Sequence, residues 1–118
     1  MGEETNAPGA SRWHDADDLK WAVRAWAARI GVATPRMQVR RMTGKWASIS
    51  TGARGGRLTL NTDLLDLPRE LGEFVIVHEL AHLLAPNHGV VFKSFLHAYL
   101  PDWERREQQL QARTEAWP

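Results

Sequence analysis

The stretch HELAHLLAPNH, His78 to His88, holds three of the chain's five histidines and a glutamate directly after the first of them. In an α-helix, residues four apart lie on one face about a turn from each other, so His78 and His82 can direct both imidazoles at one ion. Glu79 sits one step round the helix. It cannot share their direction, but it can flank the ion and reach a water beside it, which is the position of a base rather than a ligand. Two histidines leave zinc short of the three protein ligands that a catalytic site uses. Pro86 supplies the means to a third: the helix cannot run through it, and the turn APNHG folds the chain back to offer His88.

Three imidazoles suit zinc, iron, nickel or copper better than oxygen-preferring ions, and Zn2+ with one open position is the expected occupant. Such an ion acidifies water to a pKa near ~7 and polarises a carbonyl, while Glu79 would accept the water's proton and return it to a leaving amine. The bland alternative makes His78 and His82 hydrogen-bonded core residues and His88 a surface loop residue. Two imidazoles and a carboxylate in an apolar helix are costly without a metal or a dense polar network, which favours the site.

Composition narrows the classes around this stretch. The chain has 118 residues, 43% of them apolar and 25% charged, as expected of one soluble globular domain. There is no cysteine, which excludes thiolate metal sites, iron–sulfur clusters, disulfides and cysteine nucleophiles together. The start, MGEETNAPGASRW, is polar and acidic and unlike a secretory signal, and no apolar run approaches a membrane span. A cytoplasmic protein with no membrane contact is the expectation. Residues 19–62 carry nine bases (Lys20, Arg24, Arg29, Arg36, Arg40, Arg41, Lys45, Arg54, Arg57) and no acid. This block, 20–57, could face nucleic acid or an acidic partner, or be a solvated face balanced by the acidic remainder.

The elements that must position the site follow from periodicity. Residues 1–12 read as a flexible lead-in, and 13–118 as a single domain. Asp15 caps a helix whose Leu19, Val23, Trp26 and Ile30 recur at helical spacing, and Gly31 ends it. After Pro35, MQVRRM and KWASIS alternate as a strand pair about the turn TGK, and RLTLN follows TGARGG as a third strand, which predicts an antiparallel meander. The next helix starts near DLPRE, with Asp66 as cap and Pro68 in the first turn, is apolar on every side at Phe74 to Val77, and stops at Pro86. Val91, Phe92, Phe95, Leu96 and Tyr99 mark a further helix, and Asp102 caps a charged final one. The fold class is therefore α+β: a small antiparallel sheet on a central HExxH helix, with helices before and after.

Three blocks between about Arg41 and Arg106 carry a family resemblance: MTGKWASIS with GRLTLN, VIVHELAHLLAPNHG, and FKSFLHAYLPDWERRE. Together they resemble the YgjP-type zinc metallopeptidases, which are distantly similar to SprT-like proteases. Ile49 stands where members often have Cys. The resemblance implies a zincin-like fold and zinc on His78, His82 and His88, with Glu79 as general base, in agreement with the reading from spacing. The ligand spacing also matches the metzincins, but Ala85 replaces their glycine, and Met1, Met37 and Met42 all precede the motif, so no methionine turn can follow it.

In zincin-like proteases the strand beside the metal often pairs with the substrate, which the resemblance would place at KWASIS or RLTLN. Trp46 could wall a side-chain pocket there or be ordinary core. Tyr99 or His97 could stabilise an oxyanion, and Asp102 or Asn87 could orient a ligand imidazole. The leading expectation is a zinc-dependent metallopeptidase acting on proteins or peptides. The alternative is a zinc-stabilised, nucleic-acid-associated binding module with little turnover, using segment 20–57, and hydrolysis of a non-peptide amide is a third reading. Nothing in the sequence specifies an oligomeric state.

Overall fold

The computed structural model describes residues 12–52 and 55–113. Helix α1 (Ala16–Ile30) is closed at both ends as its sequence predicts. The Asp15 carboxylate accepts the Asp18 N–H at 3.0 Å, and Gly31, at φ 91°, donates its N–H to the Ala27 carbonyl. Leu19, Ala22, Val23, Trp26 and Ala27 form its buried stripe. Of the lead-in only Arg12 lies within the described residues. It is held in place, bridging to Pro68 and donating from its guanidinium to the Asp66 carbonyl.

The sheet corrects the expected antiparallel meander. Strands β1 (Arg36–Arg40), β2 (Ala47–Ser50) and β3 (Arg57–Asn61) stand in the order β1-β3-β2. The β2–β3 pair is antiparallel as expected, but β1 pairs with β3, in parallel, and never with β2. The chain from Arg41 to Trp46 therefore passes over the end of β3, two strand spacings rather than one. Asn61, at that end, holds the connection: its amide donates to the carbonyls of Met42 at 3.1 Å and Lys45 at 2.8 Å, and its side-chain oxygen accepts from the Asp63 N–H. Gly44, at φ 78°, makes the turn within this connection. Ala53 and Arg54, in the β2–β3 turn, lie outside the described residues.

Asn61 also caps a short 3₁₀ turn, Thr62–Asp66, so Asp66 is not the cap of the next helix. Helix α2 (Arg69–Ala81) begins from Pro68 instead. It is buried from Phe74 to Ala81 and packs against α1, α3 (Val90–Tyr99), α4 (Trp103–Gln111) and the edge strand β2. That many-sided contact explains why Phe74 to Val77 show no polar face. Pro86 is not where the helix stops. From His82 to Leu84 each N–H turns to the carbonyl three residues back, a tightening to 3₁₀ geometry four residues before the proline.

Asp102 precedes α4 but caps nothing with its side chain. Its carboxylate is taken by Arg105 at 2.6 Å and Arg106 at 2.9 Å, and Arg105 also reaches Glu70 in the first turn of α2 at 3.1 Å. Among the described residues no helix is long and apolar enough to cross a membrane.

Candidate metal centre

The final turn of α2 and the two turns after it bring the three histidines together. His78 and His82 lie edge to face with ring centroids 4.9 Å apart, and His88 returns to 5.2 Å from the first and 4.7 Å from the second. One nitrogen from each lies within 4.8 Å of the others, so the three form a group able to hold a metal ion. Exposure is graded: His78 is buried, His82 half-buried and His88 exposed. The group thus has a floor inside the core and a mouth in solvent.

Phe92, in the first turn of α3, is the residue that spacing alone does not reveal. Its ring touches all three imidazoles, with centroids 5.1 Å from His78, 4.6 Å from His82 in a stacked arrangement and 4.9 Å from His88. Being 2% exposed, it is also a core residue, so the imidazoles rest on a wall that cannot move freely.

Electrostatics keep His82 in the ligand form. Burial lowers its pKa, the neighbouring imidazoles of His78 and His88 lower it further, and Glu79 together with a hydrogen bond to the Pro86 carbonyl act in the opposite direction without winning. An uncharged imidazole has a lone pair to give. The sequence suggests Asn87 or Asp102 as the residue that orients a ligand imidazole. Asn87 is exposed, and Asp102 is committed to its two arginines.

Glu79 is 6% exposed, with its carboxylate 3.4 Å from His78 Nδ1. It shares with the three histidines a cleft of about 600 Å³ whose opposite wall is Lys45, β2 and Thr51. Trp46 faces a different recess, with Met42, Lys45 and Asn61, so the structure favours its reading as packing. Neither Tyr99, half-buried against the core, nor the exposed His97 lines the cleft.

The site is thus a three-histidine group at the end of a buried helix, opening on a cleft beside a sheet edge. The family follows from the sequence as a whole, because the model of the YgjP-like metallopeptidase domain matches residues 10–113, and the chain belongs to that family. The fold agrees. The structure is similar to the metallopeptidase zymogen jannalysin of Methanocaldococcus jannaschii (TM-score 0.68, 22% identity, 80% of this chain and 95% of that one). It is similar also to the metallopeptidase zymogen abylysin of Pyrococcus abyssi (TM-score 0.71, 22% identity, 82% and 95%). No curated protein sequence matches the chain.

Proposed function

We propose that this metallopeptidase is a zinc enzyme, with His78, His82 and His88 as ligands and Glu79 as general base. The observation that carries the reading is the single cleft that Glu79, the histidine group and the edge of β2 share. Three imidazole donors with no thiolate are a donor set that would suit catalytic zinc. When bound, the ion supplies Lewis acidity to a carbonyl and to water.

The chain's own residues account for the remainder. Because β3 is paired on both sides, only β2 has a free edge toward the cleft, and KWASIS rather than RLTLN is the strand that can pair with an extended peptide. Such pairing holds the backbone straight across the histidine group. Glu79 accepts a proton from water as the water oxygen bonds to the carbonyl carbon, then passes that proton to the amine nitrogen as the C–N bond breaks. The products are a carboxylic acid and an amine, which together leave as carboxylate and ammonium. Burial of Glu79 favours this exchange by limiting competition from bulk solvent.

Two substitutions separate the roles. Glu79→Gln keeps one equivalent of zinc by metal analysis and loses peptide hydrolysis by at least ~100-fold, whereas His88→Ala loses zinc itself. Hydrolysis by Glu79→Gln at the wild-type rate rejects the general-base assignment.

A further inference from the structure

The sheet has a second face, which meets the cleft only at Ser48. Register sets Arg36, Arg57 and Ser50 side by side across β1, β3 and β2, then Gln38, Thr59 and Ser48, then Arg40 beside Asn61. The alternating residues, Met37, Val39, Leu58, Leu60, Ala47 and Ile49, pack into or against the core, so the first set points away from it, with Asn61 buried where it binds the Met42 and Lys45 carbonyls. Arg36, Arg40 and Arg57 are exposed. Among the described residues none of the three forms an ion pair, and Arg40 donates only to the Arg41 carbonyl. No acid occurs between residues 19 and 62 to neutralise them.

This cationic face adjoins the strand edge where the proposed peptide would lie. A peptide paired with β2 becomes the fourth strand, and every second side chain stands on the same face as Ser48 and Ser50. The Arg57 column is then two strand spacings away, about 10 Å. Ser50 stands between and is too short to block it. A guanidinium reaching from one side and a carboxylate from the other can meet above that serine, with Arg36 and Arg40 behind to receive further charge.

We propose that the outward sheet face is an exosite for acidic protein segments, which selects substrates carrying Asp or Glu beside the bond placed in the cleft. The inference rests on the reading of the β2 edge as the peptide site. The face favours a protein over single-stranded nucleic acid, because it offers no aromatic side chain for bases to stack on.

The test measures binding, so that it stands apart from turnover. A fluorescent extended peptide with Asp and Glu at alternate positions, and its Asn and Gln counterpart, are titrated by anisotropy onto zinc-loaded, full-length Glu79→Gln protein. The acidic peptide binds at least ~10-fold tighter at low salt, and the difference shrinks as ionic strength shortens the screening length below about 8 Å. Adding Arg36→Gln, Arg40→Gln and Arg57→Gln together removes the difference, while Arg57→Glu alone turns the preference toward a lysine peptide. Equal binding of the two peptides overturns the proposal, as does a preference that survives the triple change. Tighter binding of a single-stranded oligonucleotide of the same charge also overturns it. Should neither peptide bind while wild-type protein still cleaves peptides, the exosite fails and the peptidase stands. If both peptides bind with the stated preference and nothing is cleaved, the reverse holds.

Discussion

Replacing Gly72 by Ala sets two effects of known size against each other. Gly72 lies in the first turns of α2, where alanine improves helix propensity by at most about 1 kcal/mol. A sequence argument alone therefore expects stabilisation. In the fold, a Cβ at this position would lie 2.6 Å from Trp13 Nε1, 2.7 Å from Cζ2 and 2.8 Å from Cε2. The indole cannot step aside freely: it is 6% exposed, and the Arg69 guanidinium lies 4.2 Å from its ring centroid. Forcing such a contact costs about 1–3 kcal/mol with the ring retained, and more if the ring is expelled. At mid-range the steric cost, about 2 kcal/mol, exceeds the propensity gain, so a net loss of about 1 kcal/mol is expected, which lowers Tm by roughly 4 °C for a chain of this size. Urea and thermal unfolding measure it, with the metal-binding capacity of the folded protein unchanged. Repeating the substitution in a Trp13→Ala background isolates the cause, because there Gly72→Ala becomes neutral or stabilising. A higher Tm for Gly72→Ala in the wild-type background, or the same loss in both, refutes the reasoning.

Three further outcomes follow from contacts already described. Phe92→Ala removes the wall behind three imidazoles and leaves a core cavity, so it lowers stability by about 3–5 kcal/mol and weakens retention of added metal in a chelator competition, whereas Phe92→Leu recovers most of both. Asn61→Ala strands the Met42 and Lys45 carbonyls and uncaps the 3₁₀ turn, at a cost of about 2–3 kcal/mol in denaturant titration. Burial raises the Asp18 pKa, but the Arg69 side chain and the His14 N–H more than offset it, leaving the carboxyl below its ordinary range. A lowered folded pKa contributes stability that is complete above the unfolded value, about 3.9, and is lost as pH falls through the folded value. Unfolding measured from pH 6 to pH 2 therefore steepens below about pH 4, and Asp18→Asn flattens that limb.

Much of the site is local, and this is why spacing reveals it. His78 and His82 are one helical turn apart, and His88 follows a proline, so their convergence needs little beyond helix geometry. Asp15 and Gly31 likewise declare both ends of α1 by chemistry confined to a few residues. Phe92 is legible only as an apolar position in α3, since its contact with three rings depends on how α3 crosses α2. The strand order escapes for a related reason. Alternation identifies β1, β2 and β3 but is silent on neighbours, and a six-residue connection can join adjacent strands or span a third. Asn61 decides between them, and a lone buried asparagine has no such meaning until the carbonyls it binds are in place.

That insertion of β3 between β1 and β2 has a kinetic side. The β2–β3 hairpin closes a short loop, whereas pairing Arg36 with Arg57 closes about three times as much chain, for roughly 1 kcal/mol more in loop entropy. Loop entropy therefore favours assembly out of chain order, with β1 docking onto a hairpin formed first. The edge that faces the cleft belongs to the early hairpin, while two of the three arginines on the outward face arrive with the late strand. An intermediate lacking β1 would expose the free side of β3 and bury Leu58 and Leu60 only in part, which makes it the species most open to pairing with another chain.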